Sequence, residues 1–310
     1  MMEPDGSIPP RRLASARSAI SFRLGVSTLV VLLTCAVFAP VLAPDDPTRQ
    51  TLAADLDAPS LRHPFGRDKL GRDQLSRIIY GARISLAVGT STVVCSVALG
   101  IAVGAIAGYL GGGVDFWIMR LVDILLAFPG ILLAIAMSAA LGPSLTNVIV
   151  ALSLIGWTGY ACLVRVEVIA IMRRPHVEAA RALGVSAIRL ITRHVLPIAA
   201  GPVVVQATFG MAAAVVAEAS LSFLGLGVQP PTPSWGSMVN ESRAFLLIAP
   251  HLAVFPGAAI FATVLSLSAV GEGLRERLDV RASTERMRTS RIIADNGGSR
   301  SSIAAPSILA

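Results

Sequence analysis

Charge is scarce in this sequence, and its scarcity excludes most soluble classes. Only 15% of the 310 residues are charged, against 54% hydrophobic, and the mean hydropathy is +0.70. A multi-pass membrane protein has that composition and a soluble domain of this size does not. The net charge of +7 does not mark a nucleic-acid binder, because the Arg residues sit between and beside apolar runs. Cysteine is nearly absent. Cys35, Cys95 and Cys162 lie inside apolar runs and read as small packing residues, not as a disulfide framework or a ligand set. His63, His176, His194 and His251 are scattered, with no His-Glu-x-x-His, so no metal site is expected. There is no Gly-x-x-x-x-Gly-Lys-Ser/Thr, which excludes ATP binding in a P-loop of this chain. The Gly-rich stretch 109–113 lacks the lysine and strand of a phosphate loop. No Gly-x-Ser-x-Gly or other nucleophile arrangement appears either. No cleavable signal peptide is evident, since the first apolar run has no clear small-residue cleavage site and is long enough to span.

What the chain does contain is apolar runs punctuated by arginine. Residues 1–23 are rich in Pro, Ser and Arg and read as a disordered tail. Residues 24–44 are free of charge and long enough for one helix across a bilayer. Residues 45–83 are polar and hold seven basic residues, which conflicts with the outer location that the rest of the chain assigns to this loop. Residues 84–114 form a second span. Thr92, Ser96, Gly100, Gly104 and Gly108 recur every four positions there, along one ridge of a helix where a second helix can come close. Residues 124–164 are two spans divided at Gly142-Pro143-Ser144, with Pro129 expected to kink the first. Residues 195–217 and 244–271 complete six. Gln229 to Gly236 is Pro-rich and expected on the outside, with Trp235 at an interface. Beyond Arg281 the tail again reads as disordered.

Few ionisable groups lie deep in these spans, where a proton-driven carrier would need them. Asp123, three residues after Arg120, and Glu218 are the acidic candidates. Both stand near span ends and read as structural partners or gate elements, not a proton relay. The spans then read as a transport protein whose energy comes from elsewhere. Residues 174–197 offer a place for a separate motor to dock. Glu178-Ala179-Ala180-Arg181-Ala182-Leu183-Gly184 reads as a short helix with a Gly stop, followed by Ser186 as N-cap of a second short helix closed by Leu196-Pro197. Arg165, Arg173, Arg174, Arg181, Arg189 and Arg193 outnumber Glu167 and Glu178 in this island, which places it in the cytoplasm. Both termini fall on the same side, with 18 basic residues inside against eight outside.

The island resembles the EAA loop of ABC importer permeases: Glu178-Ala179-Ala180, three residues, Gly184, nine residues, then His194-Val195-Leu196-Pro197. His194 replaces a usual apolar residue. Further blocks resemble dipeptide/oligopeptide permeases of the C-subunit type. They are Phe65-Gly66-Arg67-Asp68-Lys69-Leu70-Gly71-Arg72-Asp73, Tyr80-Gly81-Ala82-Arg83, Met119-Arg120 to Pro129, Glu218-Ala219-Ser220-Leu221-Ser222-Phe223-Leu224-Gly225 with Ser234-Trp235-Gly236, and Gly271-Glu272-Gly273-Leu274-Arg275. Arg67 stands where the family commonly has Thr, and Glu272 where it has Asp. The resemblance implies an all-α membrane protein with six transmembrane helices and a cytoplasmic coupling loop, the type I ABC importer permease fold. Its parts would be a tail (1–23), a first helix with an outer loop (24–83), a permease core (84–275) with the EAA loop at 174–197, and a second tail (276–310). It implies a bacterial inner-membrane location, a homologous permease as heterodimer partner, two ATPase subunits and an external binding protein. No cofactor is expected on this chain; ATP and Mg belong to the partners. Glu178, Ala179, Ala180, Arg181, Gly184, Leu196 and Pro197 would couple to the ATPase, while Gly100, Gly104 and Gly108 pack helices. Di- or oligopeptides are the expected cargo, with nickel or another small solute as the alternative, and an ion-gradient carrier as a more distant one.

Overall fold

The computed structural model describes the backbone of residues 10–298 and the side chains of residues 19–278. Within them there is no strand beyond one isolated bridge between Arg67 and Asp73. The elements are α1 (Pro10–Val37), α2 (Ala39–Leu42), α3 (Gln74–Leu110), α4 (Gly112–Leu126), α5 (Gly130–Leu141), α6 (Leu145–Met172), α7 (Pro175–Ala182), α8 (Ala187–Leu190), α9 (Leu196–Phe223), α10 (Trp235–Ser242) and α11 (His251–Gly298). A π turn, Ile191–Val195, fuses α8 to α9, so 187–223 forms one continuous apolar pass.

Five passes are continuous: 19–37, 74–110, 145–172, 187–223 and 251–278. The sixth is broken. α4 and α5 meet at 83°, which replaces the kinked single helix expected from Pro129. With 15 and 12 residues, the halves rise about 22 and 18 Å, and neither crosses a hydrocarbon core of about 30 Å alone. The break follows from chemistry. Pro129 has no N–H for the ladder and drives Phe128 out of the helical region, so α4 stops and α5 restarts on the Pro129 carbonyl.

Two further expectations are corrected. Helix α1 already begins at Pro10, so disorder does not extend over 10–23; residues 1–9 lie outside the described residues. Likewise α11 continues to Gly298, because residues 274–296 contain neither Gly nor Pro to stop it; residues 299–310 are outside the description. The second span starts earlier than expected, at Gln74. The Asp73 carboxylate accepts the Ser76 N–H at 2.7 Å and caps the helix there.

The core of the bundle is the seam between α3 and α6. The four-residue ridge of α3 lies on it. A Cβ on Gly104 would sit 2.5 Å from the Ala161 carbonyl oxygen, and one on Gly108 2.9 Å from that of Arg165. Gly100 faces the Tyr160 side chain and the backbone of Ala161. Higher on the same seam the Ser96 hydroxyl donates to the Ser153 carbonyl and Ser153 returns a bond to the Thr92 carbonyl, each at 3.4 Å. Arg165 of α6, counted with the basic island by sequence, instead forms a bidentate ion pair with Asp115 and ties α4 to α6. Helix α9 packs across both α3 and α6, while α1 and α11 pair at the periphery, where Arg277 lies 3.9 Å over the Phe22 ring.

Replacing Gly104 by Leu forces a side chain into the Ala161 backbone and is expected to cost about 1–3 kcal/mol. Gly257→Ala adds a methyl where nothing lies within 4 Å and leaves stability unchanged or slightly raised. Thermal unfolding of the purified protein in detergent, followed by tryptophan fluorescence, separates the two.

Candidate functional site

At one end of the bundle, α7 and α8 form a rigid bracket. Val177 and Leu190 are completely buried against Val168 and Ile171 of α6, with Val195 and Ala199 of the α9 pass in the same cluster. Helix α7 ends in a Schellman motif. Val185 N–H donates to the Ala180 carbonyl at 3.3 Å and Gly184 N–H to the Arg181 carbonyl at 3.0 Å. Gly184 has φ +79°, which the motif requires and an L side chain resists. Ala180 is half-buried, whereas Glu178, Ala179 and Arg181 are exposed. Leu183 and Ile188 stand 86% and 78% exposed, an apolar pair presented at the turn. Two details differ from expectation. Ser186 occupies the N-cap position without making a side-chain bond. Pro197 does not close the second helix; it sits in the first turn of α9, and the π turn before it widens the ladder enough to accommodate the ring. Leu196 is half-buried and Pro197 exposed.

Along the middle of the bundle runs a cleft of about 280 Å³, walled by α3, α5, α6 and α9. Its lining is apolar and carries no Asp, Glu, Lys, Arg or His. Polarity comes from Thr92, Ser96, Tyr160 and Gln206. The Tyr160 ring is wedged between Gly100 and Gly210, with its hydroxyl 3.5 Å from the Gln206 carbonyl. Gln206 is exposed and also lines a second opening of about 260 Å³ beside Pro202, Phe209 and Arg275. An amide facing hydrocarbon is costly, so this face of α9 belongs against water or protein. Sequence reasoning placed Thr92 and Ser96 on a packing ridge and passed over Tyr160 and Gln206. The available signal was Gln206 itself, the one amide in the apolar run 195–217.

The acidic candidates are not brought together, and neither lines the cleft. Asp123 is exposed on α4. Glu218 is not at a helix end, because α9 continues to Phe223. It is completely buried and accepts hydroxyl bonds from Ser85 of α3 at 3.0 Å and Ser222 at 2.7 Å, so it clamps α3 to α9.

At the opposite end, the loop before α3 is locked by ion pairs. Asp68 accepts from Arg72 Nε at 2.6 Å and from Arg77, while Arg72 and Arg77 also reach Glu241 of α10 at 2.7 and 3.0 Å. His63 bridges Asp73 at 2.9 Å and Arg67 at 2.7 Å. Burial pushes the Asp68 carboxyl up, but Arg77, Arg72 and two backbone N–H donors outweigh it and hold the group below its ordinary 3.8. Trp235 is not at an interface. It is fully buried over Gly81 and donates its indole N–H to the Ile78 carbonyl at 3.0 Å, because the Ser234–Ser237 capping box turns it inward. Only residues 229–232 of the Pro-rich segment are exposed.

Six apolar passes, an outward-facing bracket at one end, an ion-paired loop at the other and an uncharged cleft between them define a multi-pass membrane permease. The chain belongs to the binding-protein-dependent transport system inner membrane component family, whose profile matches residues 100–284. It is 46% identical over 270 residues, 87% of this chain and 88% of the relative, to the glutathione transport system permease protein GsiD of Escherichia coli O6:K15:H31 (strain 536). GsiD of Shigella boydii serotype 4 matches to the same extent. Among solved structures, the inward-facing MetNI methionine ABC transporter superposes with a TM-score of 0.51 at 18% identity, covering 64% of this chain and 95% of that one. An amino acid ABC transporter solved with histidines gives 0.51 at 16% identity, covering 65% and 94%. These two share the fold. The chain is thus a non-catalytic, inner-membrane permease component of an ABC importer, in the branch that its sequence blocks resemble.

Since the folded Asp68 carboxyl titrates below 3.8, its ion pairs stabilise the loop at all pH values above that and weaken as pH falls through the lower folded value. Asp68→Asn leaves Arg72 and Arg77 short of a partner and costs about 3–5 kcal/mol at neutral pH. Limited proteolysis of the 45–73 loop reads this out: the native loop resists between about pH 5 and pH 8, and the variant is cut throughout.

Proposed function

We propose that this chain forms one half of the translocation pathway of an ATP-driven importer for short peptides. A homologous permease completes the pathway as a heterodimer. Two ATPase subunits, which bind the ATP and Mg, power it, and an external binding protein delivers the cargo. This chain itself binds no cofactor. The observation that carries the reading is the bracket of α7 and α8, exposed on its outer face and anchored on its inner one. Leu183 and Ile188 are the apolar pair that enters a groove of the ATPase, while Glu178 and Arg181 make charge-assisted bonds at its rim. Ala179 keeps the approach close.

The bracket and both termini lie in the cytoplasm. Charge supports this: 18 basic residues fall on that side, and the contrary excess in the outer loop is softened because Arg72 and Arg77 are neutralised by Asp68 and Glu241. Short peptides are favoured as cargo by the relation to GsiD, whose name specifies glutathione, itself a tripeptide. The uncharged cleft suits a polar but net-neutral backbone. On the outer side the exposed residues 229–232 and Leu61 form the landing surface for the binding protein.

Gly184→Val tests the coupling role in the reconstituted complex. A β-branched residue at φ +79° strains the motif by roughly 1–2 kcal/mol, and nothing within 4 Å of that Cβ adds a clash inside this chain. The expected result is an assembled complex whose uptake falls about tenfold or more and whose ATPase no longer responds to loaded binding protein. Wild-type uptake with wild-type stimulation contradicts the coupling role. Cross-linkers placed at Leu61 and Pro231 are expected to capture the loaded binding protein; capture from neither contradicts the landing surface.

A further inference from the structure

Most helical threonines here satisfy their hydroxyl on their own helix. Thr34, Thr192, Thr208 and Thr263 each donate to the carbonyl four residues back, at 2.7–2.9 Å. Thr92 does not. It is 4% exposed and lines the cleft, while its hydroxyl oxygen is turned away from the open space and has no partner among the described residues. A buried hydroxyl left unpaired destabilises the fold, so a rotation about χ1 that turns it to a group bound in the cleft recovers that loss.

The surroundings specify the kind of group. Gly130, Ala134, Gly156, Gly159, Ala213 and Ala217 keep the walls back, and a Cβ on Gly159 would meet nothing within 4 Å. The volume of about 280 Å³ lies at the small end of ligand pockets, which hold about 300–1,000 Å³. It admits one residue-sized group and not a whole tripeptide. No charged side chain lines it, so a charged group there would be desolvated without compensation, while an apolar one gains by burial. At the mouth, the exposed Gln206 amide offers one donor and one acceptor to a peptide unit.

We propose that this cleft is a subsite for one uncharged, apolar side chain of the transported peptide, with the Thr92 hydroxyl and the Gln206 amide hydrogen-bonding the peptide groups beside it. The inference rests on the short-peptide reading given above. The site makes the permease itself selective, in addition to any selection by the external binding protein. It favours peptides that carry a Val-, Leu- or Phe-sized residue, and it discriminates against Asp or Lys at the same position.

The test uses the complete reconstituted transporter and a series of tripeptides Ala-Xaa-Ala, with Xaa as Ala, Leu, Phe, Lys or Asp. Gly159→Leu fills the cleft from an open position. It is expected to lower uptake efficiency for the Leu and Phe peptides about tenfold while changing Ala-Ala-Ala by less than about twofold. Thr92→Val keeps the shape and removes the hydroxyl, and is expected to lower all the uncharged peptides by a common factor of about five. Ala213→Leu, from the exposed side of α9, repeats the filling experiment should Gly159→Leu fail to assemble. Affinities of the binding protein for the same peptides are measured in parallel, so that permease selectivity is read separately. Equal effects of the filling variant on all peptides, or none, overturn the subsite and leave the cleft as a contact for the partner permease or lipid. Absence of any peptide uptake by the native complex overturns the peptide reading itself, a different and distinguishable result.

Discussion

A side chain on Gly104 would begin 2.5 Å from the carbonyl oxygen of Ala161, and the structure depends on that place being empty. In a membrane, apolar side chains gain little by leaving lipid for protein, so helices associate through close packing and a few polar contacts. The ridge Thr92, Ser96, Gly100, Gly104 and Gly108 supplies both along a single seam. Its glycine end lets α3 and α6 touch backbone to backbone. Its hydroxyl end, with Ser153, adds bonds across the seam and then opens into the cleft. The positions of Tyr160, Thr92 and the cleft walls all follow from this one approach.

The helices of the same seam connect the cleft to one end of the molecule. Helix α6 lines the cleft at Leu152, Ile155 and Tyr160 and, about two to three turns beyond Tyr160, holds Val177 of the bracket through Val168 and Ile171. Helix α9 lines the cleft at Gln206 and Gly210 and grows directly out of α8 through the π turn. Two of the cleft's four walls thus reach the bracket, α6 by packing and α9 by continuous helix. Force applied at Ile188 has a continuous helical path through the π turn into α9, and force on α7 reaches α6 through the packing of Val177, since Arg173 and Arg174 separate those two helices along the chain. The opposite end behaves differently. The ion pairs among Asp68, Arg72, Arg77 and Glu241, with Glu218 clamping α3 to α9, tie the loop before α3 and α10 into one cap.

How much of this was legible depended on whether the signal was local. The ridge that repeats every four residues, the Gly184 stop and the break at Gly142 are written in short periodicities and in residues with unusual backbone demands. Pro197 misled for the reason that makes it informative elsewhere: proline stops a regular ladder, but a π turn ahead of it removes the clash. Trp235 was read by its average preference for membrane interfaces, whereas the capping box of its neighbour Ser234 with Ser237 decided its direction. Glu218 and Asp123 looked alike as lone acids beside spans. Only the helix packing distinguishes a carboxylate sealed between two serines from one left exposed. The tails were misread from composition, which reports apolar content and says little about helix propensity. Thr92 belonged to the ridge that repeats every four positions but its place beside a cleft did not show there, and Gln206 carried no spacing pattern at all; both take their meaning where four helices converge.

The central claim is that the bracket and the cleft walls move as one body while the two halves of the importer move against each other. Spin labels at Ile188 and Ala213 within this subunit, and at Ile188 and the equivalent position of the partner permease, measure both distances in the assembled transporter with and without ATP. The account predicts an unchanged distance within the subunit and a shortened one between subunits when ATP is bound. A shift within the subunit as large as that between subunits would show that the bracket hinges freely, and would contradict transmission through α6 and α9.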